Sequence, residues 1–482
     1  MKRYTLMLFL FVILFSRCNS WLAVEPTDKV DDEKLFSDYR GFRNSLNGIY
    51  QALSSSELYG RELSWGFLSC LEQSYEDNSI GTDYEKVKSY DYEDTNVKSV
   101  ISGIWLKGYR VIANCNKLIE EIQKKDSSFF PQGALEKNLI LGEALAIRGF
   151  VHFDLVRMFA PAPVTKDDSP YIPYFTEYPS KFEKKLATSE IIRLAIEDME
   201  RARDLVAAND TLVNVMFSLS SVANRFRTNG SAKGGDFFTF RGIRMNYVAV
   251  CGLLARMYLY AGNPSKAKKY ALYVYNTYVV KKRWYSFTYE WDAADYVKLY
   301  DDLLLAFYDK KLLNHITSYK SSKRATFVLK GVAEMFEGRG DATDYRSKLI
   351  QYVSNKPYSK RWYDVGVSGN QQIDEQYPLI PVLRMSEMYY ILSETYFDES
   401  PEEAEKYLKL IRGVRSATRV ISGVEKDEFM TEVMWEGKKE YLTEGQVFYM
   451  FKRLNHKILS GTQAIEMGRK FIIPIPDNEN IY

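Results

Sequence analysis

The strongest constraint on the fold is a helix–turn–helix pattern that occurs twice in the C-terminal half of the chain. In the first copy, an apolar stripe with Ala255 precedes a turn at residues 262–264, and Ala267 begins the next stripe. The second copy turns at residues 400–401 and continues through Ala404 at nearly the same offset. Small alanines let two helix backbones approach closely. The pattern therefore predicts paired antiparallel helices.

Helical periodicity also covers much of the remaining chain. Apolar side chains recur every three or four positions over residues 101–125 and 139–159, as in amphipathic helices. Prolines 161 and 163 end the second helix, and Thr188 is predicted to cap another that runs to about residue 207. One helical pair cannot bury its own apolar face, so neighbouring pairs must stack, as tetratricopeptide hairpins do. We therefore predict an all-α, mainly helical fold.

The N-terminus has the pattern of an export signal. Lys2 and Arg3 precede an unbroken apolar run at residues 6–15, and Cys18 follows shortly after it. About ten apolar residues are too few to cross a bilayer as a helix, but they suit a secretory signal core. We predict that residues 1–17 are a lipoprotein signal peptide and that Cys18 is lipidated, although Arg17 departs from the small residues usual before that cysteine.

Charge and cysteine content exclude several other functions. The 65 basic and 63 acidic side chains give a formal charge of +2, which leaves no electrostatic footprint for nucleic acid. Beyond Cys18, the chain has Cys70, Cys115 and Cys251, whose wide spacing fits neither a disulfide framework nor a metal knuckle. We predict no cofactor and no metal, while an acidic run within residues 76–94 leaves calcium as an alternative.

Catalysis is also weighed against a structural role for the candidate residues. His152 lies inside an apolar helix, which is typical of a core histidine. Glu436, Glu440 and Glu444 share one helical face and could supply a glycosidase acid and base. We favour ion pairing instead and predict no catalytic residue. The expected basic partners are Arg412, Lys439 and Arg453.

Several motifs resemble one known family. The segment CNSWLAVEPTD at residues 18–28 resembles the mature start of SusD/RagB-type outer-membrane lipoproteins, in which a cysteine and a short spacer precede L-x-V-x-P. EALAIRGF at residues 143–150 is close to the family's EAxxLRAF, with Gly149 where alanine is common. RMSEMY at residues 384–389 and EGKKEYLTEG at residues 436–445 continue the resemblance in order. The long segment at residues 225–236 is read as an insertion in a surface loop.

The resemblance implies a fold and a function. The expected fold has about four tetratricopeptide-like hairpins and a loop-rich ligand face, with residues 18–220 and 221–482 forming one compact body. The expected function is that of a lipid-anchored protein of the cell surface and outer membrane, which delivers oligosaccharide to a SusC-like TonB-dependent receptor. A RagB-like peptide-capturing protein and a tetratricopeptide-type scaffold for protein partners stay open as alternatives.

Two aromatic-rich, loop-like regions are the candidate ligand sites. Sugars offer apolar C–H faces beside hydroxyl groups, so a glycan site needs aromatic platforms flanked by polar side chains. A third candidate is Arg361-Trp362-Tyr363-Asp364, and for each aromatic the alternative is packing over helix ends. The first loop region contains Trp65, Tyr75, Asp77, Asn78, Tyr84, Tyr90 and Tyr92. The second loop region contains Trp284, Tyr285, Trp291, Asp292 and Tyr296.

Overall fold

The computed structural model describes residues 32–227, 230–362 and 368–479. The predicted signal peptide and Cys18 lie outside the described residues. Helices dominate the described chain, which confirms the predicted fold class. The principal helices are α1 (Tyr39–Leu53), α2 (Thr95–Gln123), α3 (Ala134–Phe159), α4 (Thr188–Ala208), α5 (Tyr247–Tyr260), α6 (Pro264–Val274), α7 (Leu312–Lys323), α8 (Ser386–Tyr396), α9 (Pro401–Val414), α10 (Lys426–Glu440) and α11 (Gln446–Leu454).

Helices that follow one another in the chain also pack against one another. α1 packs on α2, α2 on α3, α3 on α4, α4 on α5, and α5 on α6. α6 then packs on α8, and α8 packs on α9. One hydrophobic cluster extends through these helices from Phe36 to Ile473. This continuous core is compatible with tetratricopeptide-like hairpins, whose exact repeat assignment stays a prediction. The boundary at residue 220 also stays a prediction, because the core includes residues from both sides of it.

The α5–α6 hairpin has the predicted register. Ala255 and Ala267 are both fully buried where the two helices meet. The Asn263 side chain accepts a hydrogen bond from the backbone N–H of Lys266 at 3.0 Å, which caps α6. Gly262, which has a φ of +74°, occupies the left-handed conformation that the turn requires.

The α3–α4 pair explains the unusual Gly149. A Cβ atom at residue 149 would lie 2.7 Å from the carbonyl oxygen of Ala195, so a larger residue would force the two helices apart. Beside this contact, the Arg148 guanidinium donates two hydrogen bonds to Asp198, at 2.6 and 2.7 Å. The departure from the family pattern at this residue thus follows from close helix packing.

The start of α4 differs from the prediction. Thr188 is already helical, Ala187 occupies the capping position, and no capping side chain comes from the adjacent sequence. Instead, the Asp168 carboxylate accepts a hydrogen bond from the backbone N–H of Ser189 at 2.8 Å. The cap therefore comes from a residue about twenty positions away, which local sequence patterns do not identify.

The strands form four two-stranded antiparallel sheets. The pair β3–β6 is largely buried and crosses the long segment between α6 and α8. These short ladders brace long connections rather than build a separate β layer. The strands are β1 (Pro170–Ile172), β2 (Leu186–Ala187), β3 (Leu303–Tyr308), β4 (Ile350–Val353), β5 (Lys356–Ser359), β6 (Leu379–Arg384), β7 (Ile458–Ser460) and β8 (Gln463–Ile465).

The segment between α4 and α5, described at residues 209–227 and 230–246, contains the predicted insertion at residues 225–236; we call this whole segment the insertion below. Its described part includes several short helices. A short helix at Val222–Phe226 places Arg225 in a fully buried position. Its guanidinium donates to the backbone oxygens of Trp284 at 2.7 Å and Asp301 at 2.8 Å. The prediction of a surface loop beginning at residue 225 is therefore wrong at Arg225, because this side chain joins the insertion to the segment after α6.

Candidate functional site

The described residues form a concave feature of about 2370 Å³, which we call the cleft. Its walls come from α1 and the segment after it, from the insertion, and from the turn after β3 with α7. Residues 369–379 close one side. The cleft is therefore built by α1, α7 and the long connections, and α2 adds only Lys107 among the described residues.

The turn after β3 forms one rim of the cleft. β3 ends at Tyr308, whose side chain is 44% exposed and is the most exposed aromatic group that lines the cleft in the described chain. Asp309 then accepts hydrogen bonds from the backbone N–H of Lys311 at 2.9 Å and pairs with His315 at 2.7 Å. These contacts fix the turn, so Tyr308 is held beside the exposed Lys310 and Lys311.

The opposite wall brings two arginines together over one aromatic ring. The guanidinium carbons of Arg43 and Arg244 lie 4.6 and 4.4 Å from the centre of the Phe237 ring. Behind the wall, Arg43 pairs with Glu136 at 2.6 Å and Arg244 pairs with Glu143 at 2.9 Å. Because both carboxylates are fully buried, they hold the arginines in place from the protein side.

A third wall combines charge with a tyrosine. Arg61 lies over the Tyr319 ring at 4.4 Å and pairs with Glu62 at 2.8 Å. Asp83 accepts a hydrogen bond from the Tyr319 hydroxyl at 3.1 Å and pairs with Lys323 at 3.0 Å. This wall presents polar groups in fixed positions, as recognition of a hydroxyl-rich ligand requires.

The prediction that the first loop region offers aromatic platforms to a ligand is wrong for its three buried rings. Trp65, Tyr75 and Tyr84 are buried, with at most 2% of each side chain exposed. The Trp65 indole donates to the Gly60 carbonyl oxygen at 2.9 Å, and the Tyr75 hydroxyl donates to the Trp65 carbonyl oxygen at 2.8 Å. The Tyr84 hydroxyl donates to Glu62 at 2.7 Å. These rings belong to the core, because each satisfies its polar atom inside the protein.

The other predicted residues of the first loop region lie nearer the surface. Asp77 and Asn78 are exposed, and Asp77 pairs with the buried Lys88. Tyr90 and Tyr92 are half-buried, with their hydroxyls donating to Leu71 and Lys470 carbonyl oxygens. None of the four lines the cleft. Their proposed contact with ligand stays a prediction.

The second loop region divides between core and surface. Tyr285 is buried beneath the Arg225 guanidinium, and Trp284 is half-buried against the Tyr278 ring. The ligand role predicted for Tyr285 is therefore wrong, because its ring is covered. By contrast, Trp291 is 74% exposed and stacks on the 61% exposed Tyr289, with ring centres 4.5 Å apart and nearly parallel planes.

Tyr296 and the third candidate, residues 361–364, are further predicted ligand residues. Tyr296 is half-buried and donates to the side-chain oxygen of Gln372 at 2.6 Å, next to the cleft residue Gln371. Arg361 and Trp362 of the third candidate are buried, so this part of the prediction is wrong. The remaining two residues of that candidate, 363 and 364, lie outside the described residues.

The candidate catalytic carboxylates are held in a buried ion-pair network. Glu436 pairs with Arg412 and Lys439, as predicted, and also with Arg346 at 2.6 Å. Glu440 pairs with Arg415 at 2.5 Å and with Arg346 at 3.1 Å. Such carboxylates have no access to a substrate in the cleft.

The remaining members of this group are also paired. Glu444 pairs with Arg384 at 2.5 Å and with Arg361 at 3.0 Å. The predicted partner Arg453 instead pairs with Glu394 at 2.6 Å, because α11 places it beside α8. The three glutamates are thus part of the structural core.

His152 is a satisfied core histidine. Its Nδ1 lies 3.0 Å from the Arg148 carbonyl oxygen, while its Nε2 accepts a hydrogen bond from the backbone N–H of Phe175 at 3.1 Å. The proton therefore resides on Nδ1. Burial, together with the charge of Arg148, lowers the pKa of His152 to about 3. The ring is neutral at physiological pH and serves packing.

Metal ligands and reactive thiols were also sought. Across the described ranges, no group of three or more histidine, cysteine, aspartate or glutamate residues could hold a metal ion. The acidic run proposed for calcium is distributed among separate contacts, with Asp77 on Lys88, Asp83 on Lys323, and Asp94 capping α2. Cys70, Cys115 and Cys251 are buried free thiols.

Sequence reasoning missed the principal lining residues of the cleft. Tyr308 follows the apolar run of β3 and precedes Asp309, Lys310 and Lys311. A change from an apolar run to a tyrosine and three charged residues was the available signal. The participation of α1 had no such signal, because its lining residues look like an ordinary solvated helix face.

Comparison with known proteins finds similar sequences over part of the chain. A family profile described as "Starch-binding associating with outer membrane" matches residues 21–224. SusD-like protein P2 of Formosa agariphila is 21% identical over 240 residues, which are 49% of this chain and 44% of that protein. SusD-like protein P38 of the same organism is 25% identical over 46% of this chain and 41% of that protein. The matched segments thus cover less than half of each relative.

Solved structures share the fold over nearly the whole chain. The structure of a SusD-like carbohydrate binding protein from Bacteroides vulgatus aligns with 92% of this chain and 96% of that protein's chain. The TM-score is 0.70 and the sequence identity is 17%. The structure of a SusD superfamily protein from Bacteroides fragilis aligns with 93% of this chain and 98% of that protein's chain, with a TM-score of 0.68 and 16% identity. The chain therefore shares its overall fold with these SusD-like structures.

Together these findings show what the chain is similar to: the profile matches residues 21–224, the two relatives are SusD-like proteins, and the solved structures share the fold. The matching profile describes proteins that associate with the outer membrane. Within the described part of the chain, no helix combines the length and apolar character needed to span a bilayer.

Proposed function

We propose that this protein captures oligosaccharide at the cell surface and delivers it to a TonB-dependent outer-membrane transporter. The observation that supports this proposal best is the cleft of about 2370 Å³, which exceeds the usual range of roughly 300–1,000 Å³ for a small-molecule pocket. Its polar walls and the exposed Tyr308 ring suit a chain of sugar units.

The Tyr289–Trp291 pair is proposed as a second glycan platform. Two exposed parallel rings present a flat apolar surface, and the neighbouring Asp292 adds a carboxylate. A sugar ring that stacks there would bury C–H groups while its hydroxyls stay in water. This site serves initial capture, whereas the cleft provides the more enclosed binding surface.

The proposed role is binding without catalysis. The charged core holds Glu436, Glu440 and Glu444 away from the cleft, and the family is one of binding proteins. Lipidation at Cys18 would anchor the chain at the outer membrane, and a SusC-like receptor is its proposed partner. Peptide capture and a protein scaffold are the alternatives that binding experiments distinguish.

The test compares two exposed tyrosines in purified protein carrying Cys18→Ala. Tyr308→Ala should weaken oligosaccharide binding several-fold, because aromatic contacts contribute on the order of 1 kcal/mol. Tyr352→Ala is the matched control, since Tyr352 is 59% exposed on β4 and does not line the cleft. Calorimetry against an oligosaccharide panel and a peptide pool gives the readout.

The outcome separates the candidate functions. Binding of oligosaccharide that depends on Tyr308 supports the proposal. Binding of peptides alone would instead support the RagB-like alternative, and binding of neither pool would contradict nutrient capture. Copurification with a TonB-dependent receptor tests delivery separately.

A further inference from the structure

We propose that the cleft selects acidic oligosaccharides, meaning those with carboxylate or sulfate groups along the chain. This inference rests on the proposed function and specifies its substrate class. Among the described residues, eight lysines and arginines line the cleft, against five aspartates and glutamates. The whole chain has a formal charge of only +2, so this excess is a local property.

The carboxylates that line the cleft are engaged within the protein. Asp83 pairs with Lys323, and Asp309 pairs with His315. Glu375 accepts two hydrogen bonds from Arg227, at 2.6 and 2.8 Å. Asp374 accepts from the backbone N–H and the hydroxyl of Ser368, at 2.8 and 2.9 Å. The fifth, at residue 236, also has a partner. Their repulsion of an anionic ligand is therefore reduced.

Several cationic groups remain open to a ligand. Arg40, Lys107, Lys310 and Lys311 line the cleft and form no ion pair in the described part of the chain. Arg40, Lys310 and Lys311 are exposed. Arg40 interacts electrostatically with Asp38, and Lys107 with Glu57, but neither pair is within ion-pair distance. The positive charge at these residues is therefore only partly compensated, and Lys310 and Lys311 form no ion pair in the described chain.

Two paired arginines keep donors available as well. Arg43 bonds Glu136 through Nε, and Arg61 bonds Glu62 through Nε. Their terminal Nη atoms make no hydrogen bond in the described structure, and both side chains are about one-fifth to one-quarter exposed, at 20% and 24%. The buried glutamates thus fix each guanidinium while its outer edge stays free for a carboxylate or sulfate.

The positions of these cations suit a ligand with several negative charges along its chain better than a ligand with a single negative charge. The open cations come from α1, from residue 61, from α2 and from the turn after β3, which are separate parts of the wall. A neutral glycan would use the aromatic and hydroxyl groups but leave these charges without a partner. An acidic chain would meet one cation after another, and Tyr308 would lie beside Lys310 and Lys311 for a sugar ring.

Calorimetry on the full chain with Cys18→Ala tests this selection. The probes are a uronic-acid hexasaccharide, a sulfated hexasaccharide and a neutral glucose hexasaccharide. We expect at least one acidic probe to bind about tenfold more tightly than the neutral one, with an advantage that falls as salt increases. The double variant Lys310→Gln/Lys311→Gln should weaken acidic binding by about three- to tenfold, and should weaken acidic binding more than neutral binding.

A matched charge control removes two exposed lysines from α9, in the double variant Lys406→Gln/Lys409→Gln. It changes net charge equally and should leave binding at the wild-type level. If the neutral probe binds as tightly as both acidic ones, charge selection is wrong although glycan capture stands. If no saccharide binds, the proposed function fails as well. An acidic peptide that binds more tightly than every saccharide, with the same dependence on Lys310 and Lys311, overturns the carbohydrate assignment.

Discussion

Individual aromatic residues in this protein divide sharply between core and surface. Trp65 and Trp291 both lie in regions predicted to bind ligand, yet 1% of Trp65 and 74% of Trp291 is exposed. Trp291→Ala should weaken glycan binding several-fold and leave the melting temperature near the wild-type value. Trp65→Ala should reduce the free energy of unfolding by about 3–5 kcal/mol, because it removes a buried indole.

Thermal unfolding and calorimetry on both variants provide the check. The Trp65 variant is the control that shows what loss of a core tryptophan does. A large drop in melting temperature for Trp291→Ala, with binding intact, would contradict its assignment as an exposed platform.

Glu440 shows how a single buried charge depends on its partners. Burial alone would raise its pKa, but the Arg415 and Arg346 guanidinium groups outweigh burial and lower the pKa of Glu440 to about 2. An unfolded glutamate has a pKa near 4.3, so this contribution to stability is complete above about pH 4.3. It is lost as the pH falls through roughly 4 to 2. Glu440→Gln should reduce the free energy of unfolding by about 3–5 kcal/mol at pH 7, because it leaves buried arginine charge uncompensated.

Urea unfolding from pH 7 to pH 2.5 measures this effect. The gap between wild type and Glu440→Gln should narrow below about pH 4, because the Glu440 carboxylate of the unfolded wild-type chain binds a proton there while that of the folded chain stays largely ionised. Glu428→Gln, at an exposed position in the first turn of α10, is the control and should change little. A gap that stays constant down to pH 2.5 would argue against a depressed pKa at Glu440.

At the scale of elements, the crossing of α5 and α6 depends on small side chains. Ala267 is fully buried at this contact, so Ala267→Leu introduces atoms that have no space. We expect the free energy of unfolding to fall by about 1–3 kcal/mol, since overpacking displaces neighbouring side chains. Denaturant unfolding monitored by circular dichroism measures the change.

Lys269→Leu provides the comparison on the same helix. Residue 269 is exposed, so the same new side chain adds there without displacing the core. Stability should stay within about 0.5 kcal/mol of the wild-type value. Equal stability for the two variants would show that the α5–α6 register has been assigned incorrectly.

For the whole molecule, the prediction concerns attachment through Cys18, which lies outside the described residues. We expect Cys18 to be acylated, which would hold the chain at the outer membrane while its long connections stay available to ligand and transporter. Metabolic labelling with a palmitate analogue should mark the wild-type chain, whereas Cys18→Ala should lose the label and leave the membrane fraction. Cys70→Ala serves as the control, because that thiol is buried. Unchanged labelling of the Cys18 variant would contradict the anchor.

The helical scaffold was largely predictable from sequence because its information is local. The spacing of Ala255 and Ala267 around a turn led directly to a buried hairpin crossing. The apolar periodicity of residues 101–125 and 139–159 identified α2 and α3, with ends that differ by several residues at the N-termini. Side chains that repeat every three or four positions share a face, so the pattern identified the buried side of α2. In α3, by contrast, residues 139–159 are buried on every side, because helices and loops surround it.

The ligand site was less predictable, because composition does not reveal which aromatic side chains of a segment are exposed to water. Trp65 and Trp291 lie in similar aromatic surroundings in the sequence, and long-range packing distinguishes them. Trp65 contacts the Phe327 ring, whereas Trp291 stacks on its neighbour Tyr289. The cap of α4 by Asp168 depends on the same kind of distant contact. Sequence by itself thus determined the helices and their buried faces, through local periodicity. Tertiary structure decided the cleft and its open charges, because these arise where α1, the insertion and the turn after β3 converge from distant parts of the chain.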